Sequence, residues 1–384
     1  MRRLPLLLLL VGIASPVFPA KIVGVRKVTV EQLEKFLVST HRLPDAKAAQ
    51  QIYQLELTER MSAVRLARAE ADLPGPASRK ALFAVSDVGA FLDLPAADLS
   101  AASAPDSTAL KLLLAKTVDY ANRTISRLPN FFATRDTTRF EAMQPVKSLS
   151  GMRPIGFEFL HEVGASSAEV LYRNGQESVN VEGSNRDRHV SVPPQLNSIG
   201  EFGPVLAVTL RDAAKGKMFW GHWEQGVAGP IAVFHYSVPE AASHYAVAFP
   251  GVYGETIHHP AYHGEIAVNP ADGSILRLTI VADLKPDDPV AVANILVDYG
   301  PVEIGGKSYI CPIKSVALAR FPDTGTYQSY RISLSLTGFL KTQVNDTRFK
   351  QYHLFRAEMR ILSGDAPVPD ASPSPSVPAA IPAH

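Results

Sequence analysis

The stretch Ser274–Leu284, which reads SILRLTIVADL, has an apolar side chain at every second position. The alternating residues share one face of the chain, and they are Leu276, Leu278, Ile280, Ala282 and Leu284. Arg277 and Thr279 fall on the other face. Because successive side chains of a β-strand point to opposite faces, this period of two predicts a strand that is buried on one face. Half-buried strands of this kind are typical of antiparallel sheets.

The same period continues from Pro129 to about residue 362, and turn signals divide it into strands. Asn174-Gly175, the sequence NPADG at 269–273 and Gly305-Gly306 are typical of tight connections between antiparallel strands. We count nine or ten strands, joined mostly by hairpins. The segment 198–214 (SIGEFGPVLAVTLRDAA) interrupts them and is predicted to be a short helix on the sheet. A sheet of this size is expected to curl because its strands twist.

From Val28 to Leu128 the apolar residues recur at helical spacing instead. Thr29 and Gln32 form a capping box for a first helix. Asp106 is the predicted N-cap of the longest helix, whose apolar stripe comprises Leu110, Leu113, Leu114, Val118, Ala121 and Ile125. The predicted fold class is therefore α+β. An all-helical N-terminal region (21–105) is followed at 106–363 by the long helix and a large, curled antiparallel sheet, a half-barrel covered by helices.

Both ends of the sequence have distinctive compositions. Residues 1–20 (MRRLPLLLLLVGIASPVFPA) combine two arginines with an apolar run shorter than the roughly 20 residues of a membrane span. They predict a cleaved signal peptide and a periplasmic or secreted protein, and a retained anchor is the alternative. No transmembrane segment is expected after cleavage. The Pro-, Ala- and Ser-rich tail at 364–384 is predicted to be disordered.

Charge and cysteine content narrow the class of protein further. The net charge is +1 and charged residues make up 20% of the chain, so nucleic acid is not an expected partner. Cys311 is the single cysteine, which excludes an internal disulfide and a cysteine metal cluster. An exported protein without disulfides is typical of a bacterial periplasm. We expect Cys311 to be a small, buried strand residue.

The sequence GETIHHPAYHGEI, which begins at Gly254, is rich in groups that bind metals. Because a proline follows His259, that residue is held extended, and His258 and His259 are expected to point in different directions. His263 and Glu265 fall on the same strand face, but zinc would need a third ligand. We therefore predict no catalytic residue, no metal and no cofactor. A metal-dependent or His/Glu hydrolase that uses the 255–265 loop is the alternative, with His258, His259, His263 and Glu265 as its candidate residues.

Aromatic residues gather in two neighbouring strand segments, MFWGHWE at 218–224 and GPIAVFHYSV at 229–238. If the intervening QGVAG is a turn, Trp220, Phe234 and Tyr236 meet on one face. Such an aromatic wall is either sheet core or the lining of an apolar cavity. The strand histidines His235 and His244 are expected to be structural.

The chain from Asp106 to Leu362 resembles the LolA-like half-barrel superfamily of periplasmic lipoprotein carriers and localisation factors. The resemblance lies in the helix ending ISRLPNFFATRDTTRFE, the hairpin EVLYRNGQESVNV, and a meander containing YHGEIAVNPADGSILRLTI and VDYGPVEIGGKSYICP. It implies a curled antiparallel sheet whose hydrophobic concavity is covered by helices and takes acyl chains or other lipids.

The leading functional prediction is a non-enzymatic envelope protein that binds an apolar small molecule, lipid or lipidated partner on the concave face of the sheet. Its predicted ligand-binding residues are Trp220, Phe234, Tyr236, Leu278, Ile280, Leu334 and Phe355. Besides the hydrolase, a second alternative to this leading prediction makes the helical region a docking module for envelope proteins. That alternative expects an exposed apolar patch at Leu33, Leu37, Leu82 or Phe91.

Overall fold

The computed structural model describes residues 24–145, 156–180, 196–198, 200–251, 254–323, 326–329, 332–335 and 338–355. The predicted signal peptide and the predicted C-terminal tail lie outside these residues. In the part of the chain so described, none of the helices combines the length and the apolar character that crossing a bilayer requires.

The described chain is α+β, as predicted, and six α-helices are seen in it. They are α1 (Val30–Thr40), α2 (Asp45–Ile52), α3 (Ala63–Ala71), α4 (Pro76–Val88), α5 (Ser107–Arg127) and α6 (Pro204–Ala213). The predicted caps of α1 and α5 are confirmed. Thr29 and Gln32 form the capping box of α1, and the Asp106 carboxylate accepts hydrogen bonds from the first backbone N–H groups of α5. The predicted helix on the sheet is α6.

The N-terminal region also contains two short strands, so the prediction that it is all-helical is wrong. Strands β1 (Arg26–Val28) and β2 (Leu55–Leu57) pair in parallel. Leu55 and Leu57 are both buried among the helices. Each strand has only three residues, which is too short for a period of two to stand out from the helical spacing around it.

The remaining strands form one large sheet and two separate hairpins. They are β3 (Phe131–Pro145), β4 (Glu158–Arg173), β5 (Gln176–Asn180), β6 (Lys217–Gly226), β7 (Gly229–Val238), β8 (Val247–Gly251), β9 (Gly254–His258), β10 (Tyr262–Val268), β11 (Ile275–Ala282), β12 (Val292–Ile304), β13 (Lys307–Asp323), β14 (Thr326–Ser329), β15 (Ile332–Ser335) and β16 (Phe339–Leu354). The large sheet has ten strands in the order β5-β4-β3-β16-β13-β12-β11-β10-β7-β6. Its strand pairs are antiparallel, which confirms the predicted large antiparallel sheet.

Two of the predicted turns have the backbone that tight hairpins require. Asn174 and Gly175 have φ angles of 52° and 79° between β4 and β5, and Gly305 and Gly306 have φ angles of 60° and 79° between β12 and β13. Two consecutive residues with positive φ match the right-handed twist of the strands that they join. The Asn-Gly and Gly-Gly pairs therefore set the register of these hairpins.

Helices cover both faces of the ten-stranded sheet. On the face that we call the α5 face, Leu113 and Ala121 of α5 are buried with α6 residues and with strand residues such as Val297. On the opposite face, the N-terminal face, the helices of the N-terminal region pack on strand residues such as Leu296. Leu296 and Val297 are neighbours in β12 but belong to different clusters, so the two clusters lie on opposite sides of the sheet.

The buried side of α5 differs from the predicted stripe at Val118, and the side chain of the predicted stripe residue Ile125 lies outside the described part of the chain. Leu113 and Ala121 are buried, but Val118 is 54% exposed and the buried residue in this turn is Thr117. The buried line follows a spacing of four residues, which keeps it on one side of the helix. A Cβ at Gly273, whose φ is 79°, would lie 2.7 Å from the backbone of Lys116. Glycine therefore lets the turn before β11 approach α5 closely.

The N-terminal region buries its apolar residues against the sheet. Leu33, Leu37 and Leu82 are at most 2% exposed, and Phe91 packs against the same cluster. The exposed patch that the docking alternative expects is therefore not formed by these residues. Cys311 is free and fully buried, as predicted.

Candidate functional site

A cavity of about 530 Å³ lies between α6, the segment 244–248 and strands β11 to β13. Val205 and Val208 of α6 form one wall, and Ile280 and Ile295 of the sheet lie in the lining too. Residues of the segment 196–198 also line the cavity. A cavity of this size with mainly apolar walls is typical of sites for small apolar molecules.

The carboxylate of Asp212 fixes the helical wall of this cavity. Asp212 is fully buried at the end of α6. Its Oδ2 accepts hydrogen bonds from the backbone N of His244 (2.8 Å) and from the Tyr262 hydroxyl (3.0 Å), and its Oδ1 lies 2.7 Å from Nδ1 of His244. Burial alone would raise the pKa of Asp212, but the hydrogen bonds from His244 and Tyr262 hold this pKa below its usual value. The network joins α6, the segment after β7 and strand β10.

Polar contacts also hold the segment 196–198 beside the cavity. The side-chain amide of Asn345 donates to the carbonyl of Leu196 (2.6 Å), and Arg135 donates to the carbonyl of Ser198 (2.8 Å). The Ser198 hydroxyl donates to Glu201 (2.7 Å). These bonds tie the segment 196–198 to the sheet, as the contacts of Asp212 tie α6 to it, so both lining segments are held in place.

Five of the predicted ligand-binding residues lie together on the α5 face. Four of them, Phe234, Tyr236, Leu278 and Ile280, are at most 2% exposed beneath α5 and α6. Trp220 packs against the same cluster, with its ring 5.7 Å from that of Phe234. Ile280 is the member of this set that lines the cavity. The others form the core from which the cavity extends.

The two remaining predicted residues lie elsewhere. Phe355 follows the end of β16, where its ring is 5.4 Å from Phe132 and lies under the guanidinium of Arg173. Leu334 lies in the β14–β15 hairpin opposite Tyr327, outside the ten-stranded sheet. Strand pairing separates them from the other five, and a period of two contains no information about pairing.

The three histidines of the 255–265 segment have three different partners. His258 lies 3.8 Å from Asp288, and Nδ1 of His259 lies 3.1 Å from the carbonyl of Tyr245. Nδ1 of His263 lies 2.8 Å from the carboxylate of Asp283. Part of this predicted loop is strand β9, paired with β8. The histidines diverge, and Glu265 instead joins a different group of side chains.

Glu265 belongs to a charged cluster on the N-terminal face. Arg277 makes a two-pronged contact with Glu224, at 2.6 and 3.1 Å. Arg60 of the N-terminal region lies 3.4 Å from both Glu224 and Glu265. Burial would raise the pKa of Glu224, but Arg277 lowers it below the usual value. The ion pairs thus offset the cost of burying these charges.

The cluster continues as a row across the centre of the sheet. Arg277 lies opposite Asp298 on β12, Asp298 opposite Lys314 on β13, and Lys314 opposite Arg348 on β16. Asp87 of α4 pairs with Lys314 from the N-terminal region. Charges of opposite sign alternate along most of this row, as favourable cross-strand pairs require.

Two histidines join Glu265 at the edge of the sheet. His222 on β6, His235 on β7 and Glu265 on β10 each have a ligand atom within 4.8 Å of those of the other two. Burial is the largest cause of a lowered pKa at His222, which favours its neutral form. Two histidines and a carboxylate are a common ligand set for transition metals in proteins.

A β-bulge explains why sequence reasoning missed this group. The alternation in MFWGHWE puts Trp220 and His222 on the same strand face. In the structure the pairing shifts by one residue between them, so that Trp220 lies opposite Phe234 but His222 lies opposite Val233. His222 therefore lies on the N-terminal face with His235. The signal in the sequence is Gly221, because glycine within a strand often marks a bulge.

The α5 face contains a pair of carboxylates, the buried Glu201 and the half-buried Glu177. Glu201 is fully buried, and its Oε2 has no hydrogen-bond partner among the described residues. Burial and, next, the charge of Glu201 raise the pKa of Glu177 to about 7. A pair of this kind holds a proton at a pH where an exposed glutamate would be ionised.

Comparisons with known proteins give no independent indication of a function. No protein-family model, no curated protein and no solved structure matches this chain. The geometry of its own residues is therefore the main evidence for a function.

Proposed function

We propose that this protein is an exported, non-enzymatic binding protein that holds an apolar ligand, such as an acyl chain, between α6 and the sheet. The observation that carries the proposal is the cavity of about 530 Å³ on the α5 face. Its volume falls in the range of about 300–1,000 Å³ that is usual for small-molecule sites.

The chemistry of the walls favours an apolar ligand. Val205, Val208, Ile280 and Ile295 line the cavity, and it adjoins the large apolar cluster beneath α5. Each methylene group that leaves water for such a site contributes about 0.8 kcal/mol to binding. The polar contacts of Asp212 and Asn345 hold the walls in place, so that less of this energy is lost to ordering the site.

Export and the curl of the sheet are parts of the same proposal. The signal-like residues 1–20 favour a periplasmic or secreted location. The resemblance to the LolA-like half-barrels favours a curled sheet with helices as a lid and a lipid or a lipidated protein as the bound partner. In this proposal α6 and α5 together form the lid.

A cavity-filling variant tests the proposal. An environment-sensitive fatty-acid probe, dansylaminoundecanoic acid, is titrated into the wild type and into Val208→Trp. We expect saturable binding by the wild type and at least about tenfold weaker binding by the variant, because the indole occupies space that the chain needs. Ala317→Leu, which fills the same cavity from β13, is expected to weaken binding in the same direction.

Val118→Trp is the matched control. It makes the same substitution on the exposed side of α5, where Val118 is 54% exposed. It is expected to bind the probe as the wild type does. Circular dichroism establishes that each protein is folded. A folded wild type that shows no saturable binding, or equal binding by Val208→Trp and Val118→Trp, would rule out this cavity as the site.

A further inference from the structure

The bulge at Gly221 turns the side chain of His222 toward a second histidine on β7 and a glutamate on β10. His235 lies directly opposite Glu265 in the β7–β10 pair, and the bulge puts His222 on the same face. A Cβ at Gly221 would come within 2.6 Å of the His235 ring, so glycine leaves the room that this arrangement needs. Bulges of this kind are common where a strand re-aims a side chain at a functional site.

The distances within the group suit a single metal ion. Oε1 of Glu265 lies 3.9 Å from Nδ1 of His235, and the ligand atoms of all three residues lie within 4.8 Å of one another. Ligands that bind one tetrahedral zinc ion at about 2.0–2.1 Å lie about 3.3 Å apart. Small side-chain rotations therefore close the site, without any change in strand pairing.

Neighbouring groups already orient the carboxylate. Arg60 and Arg277 contact Oε2 of Glu265, at 3.4 and 3.5 Å, which leaves Oε1 on the side of His235. The closer contacts of Arg277 go to Glu224, which neutralises much of the positive charge nearby. Nε2 of His222 is buried and has no hydrogen-bond partner among the described residues. A buried nitrogen without a hydrogen-bond partner lowers the stability of the folded protein unless another group binds it.

A small cavity adjoins the group. It measures about 110 Å³ and is lined by Phe91 and Asp93 of the N-terminal region together with His235 and Glu265. That volume has room for water molecules beside the carboxylate. Three protein ligands with space for water are typical of metal sites that keep an open coordination position.

We propose that His222, His235 and Glu265 bind a divalent transition-metal ion, with Zn²⁺ as the first candidate, and leave an open position toward the cavity at Phe91. This site lies on the opposite face of the sheet from the proposed apolar cavity and does not depend on it. Its ligand set includes one residue of the 255–265 segment, Glu265, and none of that segment's histidines.

The test measures metal binding by full-length protein that has been stripped with a chelator. Zn²⁺ is titrated in competition with a chromophoric chelator, and Co²⁺ is added separately because its visible spectrum reports coordination. We expect one ion per chain in the wild type. His235→Asn and Glu265→Gln are expected to bind at least about 100-fold more weakly, since each loses a ligand atom of the required chemistry. Zn²⁺ should also raise the Tm of the wild type but not of these variants.

His259→Asn is the matched control, because His259 belongs to the same 255–265 segment but contacts the carbonyl of Tyr245 and does not line the cavity. It is expected to retain Zn²⁺ binding and the Co²⁺ spectrum. Circular dichroism of the metal-free proteins shows whether each variant is folded, and His222→Gln provides a second ligand variant. A folded wild type that binds no Zn²⁺, or binding that depends on His259 and not on His235, would overturn the proposal.

Discussion

The two faces of the ten-stranded sheet are buried by different physical means. Arg277 and Leu278 are neighbours in β11, and their side chains point in opposite directions. Leu278 is 1% exposed in the apolar cluster beneath α5 and α6. Arg277 is held by Glu224 and Glu265 beneath the N-terminal region. One strand therefore contributes both to an apolar core and to a buried row of charges.

This difference implies different tolerance to change. Apolar burial is non-directional, so neighbouring side chains can adjust in part when one of them is lost. A buried ion pair is favourable only while both partners and their hydrogen bonds are in place, and removal of one partner leaves an uncompensated charge. The N-terminal face should therefore be the more sensitive of the two to a single substitution.

The largest expected effect is that of Arg277→Met, which removes the arginine that joins Glu224 and Glu265 to the charged row. The variant leaves Glu224 with Arg60 alone, at 3.4 Å. We expect the free energy of unfolding to fall by about 3–5 kcal/mol, because a buried carboxylate loses its closest partner. Urea unfolding in the presence of a chelator measures this change without any contribution from bound metal.

Lys285→Met is the control for that measurement. It removes a cation from an ion pair with Glu240 in which both side chains are more than 60% exposed. Exposed pairs contribute little, so a change of less than about 1 kcal/mol is expected. Equal losses in the two variants would show that burial of the row has no special importance for stability.

A smaller loss is expected for Leu278→Ala on the opposite face. The variant removes apolar contacts and leaves a cavity beneath α5, which should lower the free energy of unfolding by about 3 kcal/mol. The same urea measurement applies, and the comparison with Arg277→Met is direct because the two residues are adjacent. A loss larger than that of Arg277→Met would contradict the proposed difference between the faces.

The smallest of these effects depends on pH and concerns the carboxylate pair on the α5 face. The pKa of Glu177 is raised from 4.5 to about 7, chiefly by burial. Between these values the folded protein holds a proton that the unfolded chain has lost, so this group's contribution to stability falls as pH rises from 4.5 to 7. Because one pKa unit corresponds to about 1.4 kcal/mol, a fully buried group would lose about 3 kcal/mol above pH 7, and the partial exposure of Glu177 makes the expected loss smaller than that.

Glu177→Gln removes this titration, so the variant should be more stable than the wild type at pH 8 and nearly equal to it at pH 5. Glu303→Gln, at an exposed position on β12, is the matched control and should show no such difference between the two pH values. Thermal unfolding at both pH values gives the comparison. A Glu177→Gln variant that is less stable than the wild type at pH 8 would show that the ionised carboxylate is favourable.

Local sequence patterns predicted much of the fold. The alternation in β11, the capping box at Thr29 and the Asn174-Gly175 turn each depend on residues close together in the chain, and the structure has all three features. One departure from the predicted alternation in β11 is also local. A bulge between β10 and β11 puts Ile275, rather than Leu276, in the buried cluster.

The candidate sites were less predictable because they depend on which strands pair. Ile280 was identified as a lining residue, but its neighbours in the cavity come from α6 and from the segments at 196–198 and 244–248. Glu265 was identified as a candidate ligand, but with His263 rather than His235. In the structure the histidines beside Glu265 are His222 on β6 and His235 on β7. His222 lies on the same face as Glu265 only because the strand pairing shifts at Gly221.

Cys311 gives the centre of the sheet a chemical reporter. The thiol is fully buried opposite Gly300 of β12, and burial raises its pKa to about 12. It is therefore unreactive while the sheet is closed, and an alkylating reagent can label it only after β13 separates from its neighbours. Because the chain has no other cysteine, the labelling rate of the unmodified protein reports one local opening. A ligand or metal ion that stabilises the closed sheet would slow this labelling in proportion to its effect on the opening equilibrium.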